Sequence, residues 1–72
     1  MSVEQTKKVI EIVGVSEESI AIAVANAVTK ASQTLRNLEW FEVEQIRGRI
    51  ENSKPVFQVT VRIGFQVENQ TV

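Results

Sequence analysis

One segment near the C-terminal end of the chain alternates strictly between apolar side chains and polar or small ones. Its apolar members are Phe57, Val59, Val61, Ile63, Phe65 and Val67. Between them stand Gln58, Thr60, Arg62, Gly64 and Gln66. A period of two is typical of a β-strand with one buried and one accessible face. The rest of the chain must therefore supply partner strands and an apolar layer that covers one face of residues 57–67.

A strand and a helix are predicted upstream of this segment. Residues 7–13 are rich in β-branched side chains and precede Gly14, so they are predicted to form a strand that ends at this glycine. Ser16 is an N-cap candidate, and acidic residues follow it at the positive end of the helix. We predict a helix over about residues 17–36, closed by Asn37. Its apolar stripe consists of Ile20, Val24, Ala27, Val28, Ala31 and Leu35.

A second strand is predicted over about residues 39–50, where the alternation changes phase. The apolar positions are odd in the first half and even in the second, namely Phe41, Val43, Ile46 and Ile50. One extra residue near Glu44 or Gln45, a β-bulge, would bring all four to one face. The opposite face would carry Trp40, Glu42, Arg47 and Arg49. The single tryptophan of the chain would thus stand among charged side chains on a face expected to meet water.

The order strand, helix, strand, strand predicts an α+β fold, with residues 51–55 as the turn of an antiparallel hairpin. One helix covers only one face of a three-stranded sheet, which leaves the other face and the edges open. A chain of 72 residues without a disulfide is near the lower limit for an independent domain. We therefore predict a single domain over residues 1–72 that forms an obligate oligomer. Its ordered core is expected over about residues 5–68, and the polar segment 68–72 is expected to fray.

The composition disfavours several classes of function. The chain has no histidine and no cysteine, so it lacks the usual catalytic bases, nucleophiles and soft metal ligands. Its net charge of −1 lacks the basic surplus typical of nucleic-acid binding. No segment is apolar enough to span a membrane, and no signal peptide is evident, so a cytoplasmic location is predicted. We expect a non-enzymatic protein without metal, nucleic-acid or membrane partners.

Two side chains on the predicted open face are candidates for binding a flat ligand, and each has a second interpretation. The Trp40 indole can stack on a heterocycle, or it can anchor a subunit interface and touch only protein. Gln58 carries an amide donor and an amide acceptor, so it can bind the edge of a ring such as the pyrimidine side of a flavin. Alternatively, Gln58 is a solvated or interface glutamine.

The arginines of the same face are candidates for binding an anion. The guanidinium groups of Arg47 and Arg62 can each bind a phosphate. Alternatively, they form ion pairs across the sheet or between subunits with Glu42 or Glu44. Gly64 is expected to relieve crowding in the sheet or to permit a bend, because a glycine inside a strand has no side chain to pack.

Three stretches of the sequence together resemble a known protein family. They are IVGVSEES in residues 12–19, LEWFEV with IRG in residues 38–48, and FQVTV with GF in residues 57–65. Together, over about residues 7–67, these stretches resemble the dodecins, small flavin-binding proteins. The resemblance implies a β-α-β-β fold in which a three-stranded antiparallel sheet partly wraps around one helix. It also implies that the chains assemble as a hollow homododecamer.

The same resemblance implies a function and a site. Two flavins are expected at each twofold-related site, stacked on each other between the tryptophans of two subunits. By this analogy Trp40 is the stacking wall and Gln58 forms hydrogen bonds with the ring edge. The implied role is non-catalytic: flavin is stored and sequestered, and its photochemistry is quenched by electron transfer from the stacked indole.

FMN is the flavin expected from the resemblance, with riboflavin as the alternative, because the chain is only mildly acidic and has the IRG stretch of the bacterial type. Arg47 is expected to contact the phosphate or the ribityl chain, and Lys8 is a further candidate. Gln66 stands where many bacterial members carry an arginine, so it should hold a phosphate dianion less tightly. Gln45 can contact the ring or a neighbouring subunit. Coenzyme A, which some relatives bind, is another possible ligand.

The sequence is compatible with two rival functions. The first is a structural or interaction shell that binds no flavin, and Trp40→Ala separates it from a flavin-storage protein by its effects on binding and assembly. The second is a flavoenzyme, against which the absence of histidine and cysteine weighs. Flavin turnover well above that of free flavin would identify the enzyme.

Overall fold

The computed structural model describes residues 4–67, and within them it contains three strands and one helix in the order β-α-β-β. The elements are β1 (Lys7–Ser16), α1 (Ile20–Ser32), β2 (Leu38–Glu51) and β3 (Lys54–Gln66). The strands form one sheet in the order β1-β3-β2, and β3 is antiparallel to both neighbours. The predicted α+β class and the antiparallel sheet are confirmed. The predicted fraying of residues 68–72, and the limit of the predicted core at residue 68, lie outside the described residues.

The alternating segment is the central strand of the sheet, β3. Val59 and Val61 are fully buried, and Ile63 is 1% exposed. These three side chains define the helix face of the sheet, and the other face is called the open face. The buried residues of α1 that pack on the helix face are all small, namely Ala23, Ala27 and Ala31. Small side chains let the helix approach the sheet closely, and the backbone carbonyl of Ala23 comes close to Gly14 of β1.

β1 continues through Gly14, where the sequence predicted its end. Position 14 requires a glycine because α1 packs closely against it. A Cβ atom at Gly14 would overlap the backbone carbonyl of Ala23. The glycine therefore makes room for the helix backbone and does not turn the chain. Ala23, which the predicted apolar stripe omitted, is fully buried at this contact, whereas Ile20, which the stripe included, is 38% exposed.

α1 is shorter at both ends than the prediction of residues 17–36. Ser19, not Ser16, is the N-cap, since Ser19 Oγ accepts a hydrogen bond from a first-turn amide at 3.0 Å. Ser16 Oγ instead accepts a hydrogen bond from the amide two residues later at 2.9 Å and stabilises the turn before the helix. At the other end α1 stops at Ser32, so Asn37, which has a φ of 62°, lies in the linker and does not close the helix.

β2 carries the predicted bulge and a second irregularity. Its register against β3 shifts at Glu44, as the change of apolar phase predicted, and again at Glu39, which was not predicted. The bulge at Glu44 keeps three apolar side chains on the helix face: Phe41, Val43 and Ile46. The irregularity at Glu39 places Trp40 directly opposite Gly64 of β3.

The hairpin between β2 and β3 closes through two residues, a shorter turn than the predicted segment 51–55. Asn52 and Ser53 connect Glu51 to Lys54, and both have positive φ, 52° and 64°. Positive φ at both loop positions is the geometry of a type I′ turn, whose twist matches that of the paired strands. The two strands therefore remain paired up to the loop.

α1 packs against β1 and β3 and scarcely reaches β2. Four apolar side chains of β2 are left 41–81% exposed on the helix face, and we call them the uncovered edge: Phe41, Val43, Ile46 and Ile50. The radius of gyration is 15.3 Å, whereas a compact domain of this length has roughly 11 Å. Both features indicate a surface that another chain completes. Among residues 4–67, no helix combines the length and the apolarity needed to cross a membrane.

Candidate functional site

Trp40 lies on the open face, with its indole resting on β3. A Cβ atom added to Gly64 would overlap three carbons of the indole, Cζ2, Cε2 and Cη2, at nearly equal separations. This near-equality puts Gly64 beneath the face of the six-membered ring and not at its edge. Val9 of β1 is opposite Gly64 on the other side. We call Trp40, Gly64 and Val9 the tryptophan platform. Because Trp40 is 41% exposed, its indole remains accessible to a flat partner.

A second set of candidates gathers further along the open face. Arg47 is directly opposite Gln58, and Gln45 is opposite Thr60. Three of these residues and Val13 of β1 line a cavity of about 330 Å³. Gln58 and Thr60 are half-buried, whereas Arg47 is exposed. We call Arg47, Gln58, Gln45 and Thr60 the polar group. It offers amide donors and acceptors beside a guanidinium, which suits a ligand with a polar edge and a negative charge.

Trp40 and Gln58 share a face of the sheet but are distant within one chain. The partner of Trp40 on β3 is Gly64, which is six positions from Gln58. At about 3.3 Å per residue, the two positions are about 20 Å apart along the strand. One ring system cannot contact both side chains of the same subunit at this distance. A ligand that uses both must take them from two subunits.

A charged row separates the tryptophan platform from the polar group. Glu11, Arg62 and Glu42 face one another across the three strands, and Glu44 lies next to them at the bulge. The ion pairs within residues 4–67 are Lys7 with Glu39 and Arg49 with Glu51. The alternative prediction of cross-strand pairs between Arg47 or Arg62 and Glu42 or Glu44 is therefore not met among these residues, and pairing between subunits stays a prediction. The buried Nε of Arg62 has no hydrogen-bond acceptor among the described residues.

The carboxylates of the charged row repel one another. Hydrogen bonding to Glu11 raises the pKa of Glu44 above its ordinary value. Desolvation and the negative charges of Glu11 and Glu42 act in the same direction, and the charge of Arg62 opposes them. The folded chain thus holds the Glu44 proton more tightly than the unfolded chain does. Stability from this group is present at low pH and is lost as the pH rises through the raised pKa.

Glu44→Gln is expected to raise the thermal midpoint at neutral pH, because the neutral amide removes the repulsion with Glu11. The gain should shrink as the pH falls through the raised pKa of Glu44, where the wild-type carboxyl is itself neutral. Thermal unfolding at fixed protein concentration across acidic and neutral pH measures the difference. Glu4→Gln, which removes a charge outside the charged row, is the matched control. A gain of the same size at every pH would contradict this account.

Of the remaining candidates, Gln66 is on the open face two positions beyond Gly64, whereas Lys8 is not on that face. Gln66 Oε1 accepts a hydrogen bond from Lys7 Nζ at 2.8 Å, and Gln66 Nε2 donates to the next carbonyl at 3.0 Å. Lys7 also pairs with Glu39, so it is the lysine on the side of Trp40. Lys8 is opposite Phe65 and falls on the helix face, away from the other candidates. Sequence reasoning missed Lys7, although the alternation of side chains along β1 could have indicated it.

The open face offers groups suited to binding. It combines a flat aromatic surface, amides that donate and accept, and guanidinium groups. Within residues 4–67, no set of three or more histidine, cysteine or acidic side chains is arranged to hold a metal ion. The groups present fit a planar ligand with a hydrogen-bonding edge and an anionic arm.

Comparisons with known proteins agree on one family. The dodecin family profile matches residues 6–68. A dodecin from Thermus thermophilus is 45% identical over 62 residues, which cover 85% of this chain and 90% of that protein. The structure of dodecin from Streptomyces coelicolor is 49% identical with a TM-score of 0.88, over 92% of this chain and 96% of that chain. A Thermus thermophilus protein structure is 40% identical with a TM-score of 0.89, over 93% of this chain and 100% of that chain.

Proposed function

This chain belongs to the dodecin family, and on that basis we propose that it is a non-enzymatic protein that binds, stores and sequesters flavin, with FMN as the ligand. The observation that carries the proposal is Trp40, whose indole lies flat on Gly64 while the residue is still 41% exposed. An indole with one face on the sheet and the other accessible is suited to stack on an electron-poor ring.

The residues of the open face fit a flavin. The amide of Gln58 matches a ring edge that alternates donors and acceptors, and Gln45 supplies a further amide. The guanidinium of Arg47 matches a phosphate or the hydroxyl groups of a ribityl chain. A bound flavin would supply an electron-poor ring that absorbs light. The electron-rich indole of Trp40, in contact with that ring, would return the excited flavin to its ground state by electron transfer.

The geometry of the open face supports a site shared between subunits. Trp40 and Gln58 are about 20 Å apart along one strand, so we place the flavin between Trp40 of one subunit and Gln58 of another. Pairs of flavins would then stack between the tryptophans of two subunits related by a twofold axis. The uncovered edge supports oligomerisation, and the assembly we propose is a hollow homododecamer of 8.1-kDa chains.

Titration of FMN with the purified protein tests the proposal through flavin emission. We expect strong quenching that saturates at one flavin per subunit. Riboflavin should bind more weakly because it lacks the phosphate, and Arg47→Ala should reduce the difference between the two flavins. Unchanged emission with both flavins at high protein concentration would contradict the flavin role and favour a structural shell. Turnover above that of free flavin, with a reductant and an acceptor, would instead identify an enzyme.

Co-expression of two defective variants tests whether the site is shared. Trp40→Ala and Gln58→Ala chains should each bind FMN poorly when expressed alone. In mixed shells, some neighbouring subunits combine the native Trp40 of one chain with the native Gln58 of the other. Quenching should therefore be partly recovered in mixed shells. If the flavin uses both side chains of a single subunit, mixing will recover nothing.

A further inference from the structure

We infer that Gly64 is a positioning residue for Trp40: its missing side chain is what lets the indole lie face-down on β3 and present its outer face to a ligand. The indole reaches from β2 across to the central strand and covers Gly64, which is itself buried. The consequence for flavin binding rests on the proposed function, whereas the orientation of the indole can be measured without any ligand.

The backbone of Gly64 does not itself require a glycine. Among residues 4–67 no glycine has a positive φ, so residues other than proline could adopt the conformation of this position. Glycine inside a strand weakens the strand, since it loses more conformational entropy on folding and has no side chain to pack. A glycine at the centre of β3 therefore needs another reason, and the space taken by the indole supplies it.

A side chain at position 64 would have to displace the indole and not the backbone. Gly64 is paired with Val9 of β1 on one side and with Trp40 of β2 on the other, so the strand is held from both sides. An added Cβ atom would lie inside the contact distance of three ring carbons. The indole would lift off the sheet, and its outer face would lose the position and tilt that stacking requires.

The orientation of the indole can be observed directly because Trp40 is the only tryptophan of the chain. The indole band of the near-ultraviolet circular dichroism spectrum reports on this one side chain, in the protein without flavin. Gly64→Ala is expected to remove most of that band. Gly48→Ala is the matched control, because an added Cβ there would meet the Val56 carbonyl and not Trp40. The control should keep the indole band even if it lowers the thermal midpoint.

Thermal unfolding distinguishes two explanations for the glycine: position 64 must accommodate the Trp40 indole, or the sheet has no space for any side chain there. In the native background, Gly64→Ala should lower the midpoint, because the alanine and the indole compete for one volume. In the Trp40→Ala background the same change should leave the midpoint unchanged or raise it, since alanine is preferred to glycine in a strand. An equal loss of stability in both backgrounds would overturn the inference, because the crowding would not involve Trp40.

FMN titration completes the test. If the protein binds FMN, Gly64→Ala should weaken binding at least about fivefold, on the scale of one lost aromatic stack. An unchanged indole band together with unchanged FMN affinity would overturn the inference and leave the proposed function intact. Failure of the wild-type protein to bind FMN, with the indole band still lost in Gly64→Ala, would overturn the proposed function and support the positioning role.

Discussion

Trp40→Ala is expected to abolish the strong quenching of FMN emission and to weaken FMN binding roughly 5- to 150-fold. The magnitude follows from the about 1–3 kcal/mol of an aromatic stack, since 1.4 kcal/mol corresponds to a factor of about ten. Alanine removes the stacking surface and the electron-rich partner together, so affinity and quenching should fall together. Fluorescence titration with FMN measures both quantities in one experiment.

Light scattering on the same samples separates the ligand role of Trp40 from an anchor role. Lost binding with an unchanged particle mass supports stacking, whereas disassembly would show that Trp40 mainly holds subunits together. Trp40→Phe is the conservative control, because it keeps a flat but smaller ring. We expect this variant to assemble, to bind more weakly and to quench less completely. Native FMN affinity in intact Trp40→Ala particles would contradict the proposed site.

The strands were predictable because their signal is local. Alternation alone identified β3, and the change of phase between Val43 and Ile46 identified the bulge at Glu44. Both features follow from the period of two in side-chain direction, which any strand imposes on its own sequence. The irregularity at Glu39 causes no change of phase in the sequence, since it is at the start of β2, before an alternating pattern is established.

The ends of α1 were not predictable because they depend on competition between similar hydrogen bonds. Ser16 and Ser19 are both good caps, and the structure uses Ser19 for the helix and Ser16 for the preceding turn. The prediction that β1 ends at Gly14 was wrong because the role of this glycine depends on a tertiary contact. The glycine makes room for the backbone carbonyl of Ala23 in α1. A glycine looks the same in sequence whether it permits a turn or a close contact.

The candidate site was predictable in its face but not in its distances. Alternation assigned Trp40 and Gln58 to one face, and the pairing of β2 with β3 agrees. Their separation of about 20 Å depends on which residues pair across the strands, a property of the whole sheet. The face of Lys7, by contrast, could have been predicted from the alternation along β1, and the pairing of β1 with β3 agrees with it. The position of the Trp40 indole over Gly64 also depends on the pairing of β2 with β3, which the sequence does not show.

The uncovered edge gives the assembly an energetic basis. Burial of a large aliphatic or aromatic side chain stabilises a protein by about 1.5–3 kcal/mol. The uncovered edge offers four such side chains per chain, and they remain 41–81% exposed. A 72-residue chain without disulfides is marginal alone. Much of its stability is therefore expected to come from subunit contacts and to depend on protein concentration.

Ile46→Lys is expected to break the assembly, because it puts an ammonium group into the centre of the uncovered edge. Within one chain this position is 54% exposed, so the substitution should cost little before assembly. In a closed shell the unpaired charge would be buried at every subunit, at a cost on the order of several kcal/mol each. Light scattering should show small species in place of the wild-type particle, and the thermal midpoint should fall. Ile46→Val, which keeps the apolar surface, should retain the particle. A native mass and a native midpoint for Ile46→Lys would refute a role for this edge in assembly.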